Sequence, residues 1–152
     1  MKQTINIYYV SISMTFVFMV ACNPVNETVD LRILSTATSI SAGKIHTCAM
    51  LSGGTVKCWG YGSYGQLGDG STTRTQSTPV SVSSISTATS VSAGESHTCA
   101  LLSGGTVKCW GYGSYGQLGD GSTTSTQSTP VSVSGISTAT SVSAGENHTC
   151  AV

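Results

Sequence analysis

Apolar and small polar residues alternate along Pro79–Val82 (PVSV) and Thr89–Ala93 (TSVSA), the period-two pattern of a half-buried strand. Two further segments, Thr47–Leu51 and Thr55–Trp59, flank Ser52-Gly53-Gly54. That triplet is a three-residue hairpin loop in which glycine supplies positive φ. No helical periodicity follows the N-terminal apolar stretch. The chain therefore predicts short strands separated by turns.

The pattern then repeats. Cys48, Cys99 and Cys150 are 51 residues apart, as are His46, His97 and His148, and Gly43, Gly94 and Gly145. Aligned against one another, 43–93 and 94–144 differ at five positions only: Lys44/Glu95, Ile45/Ser96, Met50/Leu101, Arg74/Ser125 and Ser84/Gly135. This is a tandem duplication. Residues 34–42 (LSTATSISA) read as the tail strand of a preceding repeat, and 145–152 (GENHTCAV) as the start of a truncated one. Four strands in a period of about 50 residues is the signature of a propeller blade.

Two motifs carry a family resemblance. Trp59-Gly60 followed by Gly65-Gln66-Leu67-Gly68 recurs at Trp110 to Gly119, and an Ala-Gly-x-x-His-Thr-Cys-Ala run precedes each. The sequence resembles the regulator-of-chromosome-condensation (RCC1) repeat family over nearly all of residues 34–152, in a form associated with bacterial members. Gly62 and Gly113 stand where the family commonly has asparagine. The resemblance implies an all-β fold of four-stranded antiparallel blades, here a partial propeller of about two to three. A seven-bladed ring at this period takes roughly 350 residues, so the chain is expected to be a fragment of a longer product.

The N-terminus reads as a targeting segment. Met1-Lys2 supplies a charge, an uncharged, largely apolar stretch runs from Ile5 to Ala21, and Met19-Val20-Ala21-Cys22 resembles the lipobox of bacterial lipoproteins. Residues 1–21 are thus expected to be a signal peptide, Cys22 the acylated residue and 22–33 a polar tether. Acylation supplies membrane affinity of about 0.8 kcal/mol per buried methylene. Plain secretion and an uncleaved anchor are the alternatives. Asn23 after the cysteine favours the outer membrane by resemblance to enterobacterial sorting.

Composition narrows the partners. Charged residues are 8% of the chain and the formal net charge is zero. Nucleic acid is not expected, because phosphate binding needs a concentrated positive face. Disorder is not expected either, since 39% of residues are hydrophobic.

The candidate chemistry is sparse. In a hairpin centred on Gly53, Cys48 lies opposite Cys58, and the second copy places Cys99 opposite Cys109. Facing cysteines in an exported chain can form cross-strand disulfides. Unpaired core thiols, or a metal site completed by His46, are the alternatives. Gly60-Tyr61-Gly62-Ser63-Tyr64-Gly65 matches the dinucleotide fingerprint in letters, but Gln66-Leu67-Gly68-Asp69-Gly70 cannot open the helix that fingerprint requires. His46, His97 and His148 have no recurring nucleophile or carboxylate beside them and are expected to hold blade backbone. Asp69 and Asp120 read as turn caps, and Trp59 and Trp110 as blade packing. No catalytic residue, cofactor or metal is expected.

Tyr61, Tyr64, Tyr112 and Tyr115 remain as candidate binding loops, because tyrosine offers rigid area and a polar tip. The expected function is a non-catalytic cell-envelope scaffold that engages a protein or glycan, with self-association through unpaired blade edges. Two alternatives come from other directions. The family resemblance implies a guanine-nucleotide exchange factor for a small GTPase, and the near-identity of the copies suits a structural surface array or gene fragment.

Overall fold

A computed structural model describes residues 36–152. The expectations for the signal peptide (1–21), Cys22, the tether (22–33) and the first two residues of segment 34–42 lie outside the described residues.

The described chain is all β. One four-stranded antiparallel sheet takes β1 (Ala37–Ala42), β2 (His46–Leu51), β3 (Val56–Tyr61) and β4 (Thr75–Ser81) in chain order. A second takes β5 (Ala88–Ala93), β6 (His97–Leu102), β7 (Val107–Gly111) and β8 (Gln127–Ser132). A two-stranded sheet follows, β9 (Val142–Ala144) with β10 (Thr149–Ala151). Sheet boundaries do not coincide with repeats counted from Gly43. Residues 43–93 build β2 to β4 and then deliver β5 to the next sheet. Each sequence repeat is thereby shared between two blades.

The hairpins follow from local chemistry. Gly53 and Gly54 sit at φ 93° and 79°, and Leu51 N–H donates to Thr55 O at 2.8 Å to close the loop. The resulting register sets His46 against Gly60, Cys48 against Cys58 and Met50 against Val56. β4 begins earlier than the alternation of Pro79–Val82 suggests. Its first residues, Thr75 to Thr78, are polar, and the strand is largely exposed at a sheet edge, so no buried face writes a period into the sequence. The edge also explains Pro79, which lacks a ladder donor. The β3–β4 ladder slips between Cys58 and Gly60, opposite that proline.

The core lies between sheets. On one face of the first sheet His46, Cys48, Val56 and Cys58 are buried, joined by Leu67, Val82 and Ile85. Ala88, Val91, Ala100 and Trp110 of the second sheet complete the same cluster. Alternation along β6 and β7 then puts Cys99, Leu101, Val107 and Cys109 on the far side, where Leu118 and Val142 cover them. The second sheet thus shows a Cys/Val face to its successor and a Thr/Ala/Trp face to its predecessor. Trp110 is fully buried, whereas Trp59 is half-buried, since among the described residues no sheet precedes the first.

The structure bonds Cys48 to Cys58 and Cys99 to Cys109, each pair with Cα atoms 4.1 Å apart. All four are completely buried. Cys150 is free and exposed. Replacing Cys48 and Cys58 together by alanine removes one cross-link from the unfolded chain, a loss of about 2–3 kcal/mol on the chain-entropy account. The urea midpoint is expected to fall accordingly, and wild type in reductant is expected to fall further.

Candidate binding face

At one end of each four-stranded sheet two loops meet, because in the first sheet the β1–β2 and β3–β4 connections turn beside the paired residues His46 and Gly60. The short loop carries Gly43, Lys44 and Ile45 in the first sheet, and Gly94, Glu95 and Ser96 in the second. The long loop carries the tyrosines. Its path is set from within by Gln66, which is fully buried. The Gln66 side-chain Oε1 accepts the Tyr64 N–H at 2.9 Å. Its backbone carbonyl accepts Thr98 Oγ1–H and Trp110 Nε1–H, both at 2.9 Å, from the next sheet. Gln117 repeats the arrangement with Tyr115 N–H at 3.0 Å and Thr149 at 2.8 Å. Gly68 follows at φ 72°, where a Cβ would lie 2.6 Å from Trp110 Nε1. Only glycine lets the indole approach so closely.

This bracing brings the tyrosines into one row. Ring centroids are 6.1 Å apart for Tyr61 and Tyr64, 5.1 Å for Tyr64 and Tyr112, and 5.7 Å for Tyr112 and Tyr115. The last two contacts are edge-to-face, a favoured aromatic geometry. The row therefore crosses from the first sheet to the second. Tyr64 and Tyr115 are the exposed members, and Tyr61 and Tyr112 are half-buried beside them. Tyr64, Tyr112 and Tyr115 line a shallow depression of about 290 Å³ together with Glu95, Ser96, Glu146 and Asn147. Lys44 Nζ pairs with Glu95 Oε1 at the surface. The pair raises the lysine pKa and lowers that of the glutamate.

The other candidates have structural duties. His46 is 3% exposed and its Nε2 lies 2.7 Å from Thr98 Oγ1. Since the Thr98 proton goes to the Gln66 carbonyl, His46 donates from Nε2 and is the neutral Nε2–H tautomer. The expectation that histidine holds blade backbone is thus corrected. It binds a threonine of the following sheet, which passes the contact to a carbonyl of the histidine's own repeat. Its Nδ1 has no protein partner. His97 and Thr149 form the same bond at 2.9 Å. Asp69 Oδ1 accepts Ser71 N–H at 3.0 Å, an Asx turn repeated at Asp120 and Ser122. With the cysteines bonded to one another, no group of three potential metal ligands assembles among the described residues. Gln66 and Gln117 were not singled out from the sequence. Their only signal is the Gly-Gln-Leu-Gly motif, which does not reveal that the side-chain oxygen and the backbone carbonyl are both used.

Burial, followed by the neighbouring His97, lowers the His46 pKa from 6.5 to about 4. Burial lowers the His97 pKa likewise from 6.5 to about 4. A base with a depressed folded pKa binds its proton more readily when unfolded. Stability is then complete above pH 6.5, falls as pH drops from 6.5 to about 4 and levels off below. The loss amounts to about 3 kcal/mol per histidine at most. Urea midpoints across that window are expected to fall for wild type, and His46→Asn with His97→Asn to flatten the slope.

Comparison with known proteins assigns the repeats. A family model described as the Regulator of chromosome condensation (RCC1) repeat matches residues 53–101 and 104–152. A second model of the same description matches 37–66 and 88–117. The chain is 44% identical over 84 residues to the Ultraviolet-B receptor UVR8 of Arabidopsis thaliana, covering 54% of this chain and 19% of that one. It is 37% identical over 118 residues to the probable E3 ubiquitin-protein ligase HERC6 of Homo sapiens, covering 74% of this chain and 11% of the relative. The chain thus spans a fifth or less of these relatives. Among solved structures, Prp20p of Saccharomyces cerevisiae superposes with a TM-score of 0.72 at 19% identity, over 80% of this chain and 32% of that one. Human WBSCR16 superposes with a TM-score of 0.70 at 19% identity, over 78% and 31%. These two likenesses are of fold.

Proposed function

Because the chain belongs to the RCC1 repeat family, we propose that it is a non-catalytic recognition module that binds a protein through its tyrosine row. The observation that carries this reading is the row itself, four rings each beside the next across two sheets. Solvent-facing tyrosines held by buried glutamines need little further ordering when a partner arrives, which lowers the entropic cost of association. Tyrosine is also among the residues enriched where proteins meet. Prp20p has binding properties toward Gsp1p and histones, and yeast RCC1 is seen bound to Kap60. Protein partners are therefore within the habits of this fold. Against catalysis stands the use of both buried histidines: each has its Nε2 committed to a threonine hydroxyl.

The proposed setting is the bacterial cell envelope, with Cys22 acylated and the blades held outside the membrane by the tether. Met19-Val20-Ala21-Cys22 supports this reading. Two buried cross-strand disulfides suit an oxidising compartment.

Replacing Tyr64 and Tyr115 by alanine is expected to reduce photo-cross-linked partner by about tenfold, the scale of losing an aromatic anchor. The circular-dichroism spectrum should not change, because both side chains are exposed. Equal cross-linking by wild type and variant would remove the tyrosine row from the binding surface. For the envelope setting, intact mass from the membrane fraction of a Gram-negative host is expected to show a diacyl or triacyl increment lost in Cys22→Ser. An unacylated cytosolic chain would refute it.

A further inference from the structure

We propose that the tyrosine row and the two glutamates beside it receive a basic side chain, a lysine or arginine carried by a protein partner. This rests on the tyrosine face being the recognition surface and names the chemistry it selects. The argument begins with the repeats. The loop position held by Lys44 in the first sheet is Glu95 in the second and Glu146 in the third. The backbone geometry of the two steps is the same: Lys44 N–H donates to Gly94 O at 3.2 Å, and Glu95 N–H donates to Gly145 O at 3.3 Å. At the first step the Lys44 ammonium rests on the Glu95 carboxylate. At the second, Glu95 and the Glu146 carboxyl line the same depression. The molecule itself demonstrates that an ammonium fits this stepped geometry, and one repeat later it supplies acid in place of base.

The aromatic groups stand on the same spot. Tyr64, Tyr112 and Tyr115 share one depression with Glu95 and Glu146. Aromatic faces attract ammonium and guanidinium groups, and carboxylates at the rim add a directed charge. Of the charged side chains on these short loops, Lys44 is the single base against two acids, leaving the short loops with a net negative charge. An anionic ligand such as a phosphate chain would be repelled. A third observation concerns where the copies diverge. Lys44/Glu95, Ile45/Ser96 and Arg74/Ser125 all lie in the loops at the tyrosine end of the sheets, and Ser96 lines the depression. The buried residues that join the sheets, His, Thr, Gln and the cysteines, are identical in the two copies. Three of the five differences between the copies thus fall at the tyrosine end, two of them changing charge, while Met50/Leu101 exchanges one apolar strand residue for another.

The test titrates the full chain, observed by amide NMR, with a short glycine-lysine peptide, its Nε-acetylated counterpart and a neutral oligosaccharide. The expected result is saturable shifts at Tyr64, Glu95, Tyr112, Tyr115 and Glu146 with the lysine peptide and none with the other two. Glu146→Gln is expected to weaken the lysine peptide by about threefold, the scale of an exposed ion pair. Tyr115→Ala should weaken it by about as much and Tyr115→Phe should not, since the ring face carries the attraction. Equal shifts from the acetylated peptide, binding of the oligosaccharide alone, or an unchanged affinity in Glu146→Gln would overturn the inference. Photo-cross-linking separates this failure from that of the recognition face. If Tyr64→Ala with Tyr115→Ala abolishes capture while Glu146→Gln leaves it intact, the charge assignment falls and the face stands. If the double alanine variant captures as well as wild type, both fall.

Discussion

One buried hydroxyl joins the first two sheets. Thr98 Oγ1 accepts from His46 Nε2, donates to the carbonyl of Gln66 and lies near the Cys48 sulfur, all across a sheet boundary. Trp110 adds its indole N–H to the same carbonyl. Polar groups shut between two sheets are costly unless each finds a partner. Here a single hydroxyl satisfies donor and acceptor together, and the arrangement recurs at Thr149. Apolar contact between sheets has no direction, and these hydrogen bonds supply one. The threonine junction sets the lateral position of one sheet on the next.

That position propagates outward. Because the Gln66 carbonyl is held by the second sheet, its side chain is held too, and with it the backbone of Tyr64. The loop is anchored at its base by the neighbour it faces. Tyr64 then meets Tyr112 from the following repeat, so the aromatic row is a product of sheet stacking rather than of either loop. Ser41 and Ser92 add a further tie between first strands, accepting the N–H groups of Ala93 and Ala144 at 3.0 and 2.9 Å. Rigid scaffold and variable loop are thus separated in space. Chemistry can change on the loops without disturbing the junction.

The disulfides act at right angles to these ties. Each cross-links the two central strands of its own sheet, where the register already brings the cysteines opposite. They stiffen a blade, and the threonine, histidine and glutamine side chains join blades. A chain with few charged residues and a modest apolar content needs both, since small sheets bury limited surface on their own.

The strands, the hairpin at Gly53-Gly54, the opposition of Cys48 with Cys58 and the membership of the repeat family were all legible in residue order. Each depends on local spacing, on turn chemistry or on a motif copied twice. The polar half of β4 was not, because an exposed edge strand imposes no alternation. The pairing of Ala37–Ala42 with β2, which offsets blades from sequence repeats, was equally invisible: a periodic sequence has no marked starting point, and only hydrogen bonding selects one. The same limit hid the role of Gln66 and the partner of His46. Their contacts join residues 32 and 52 positions apart, across a boundary that exists only once the sheets stack. Trp59 and Trp110 show the division most plainly. They hold the same place in nearly identical repeats, yet one is half-buried and the other sealed, because burial belongs to the neighbouring sheet and not to the residue.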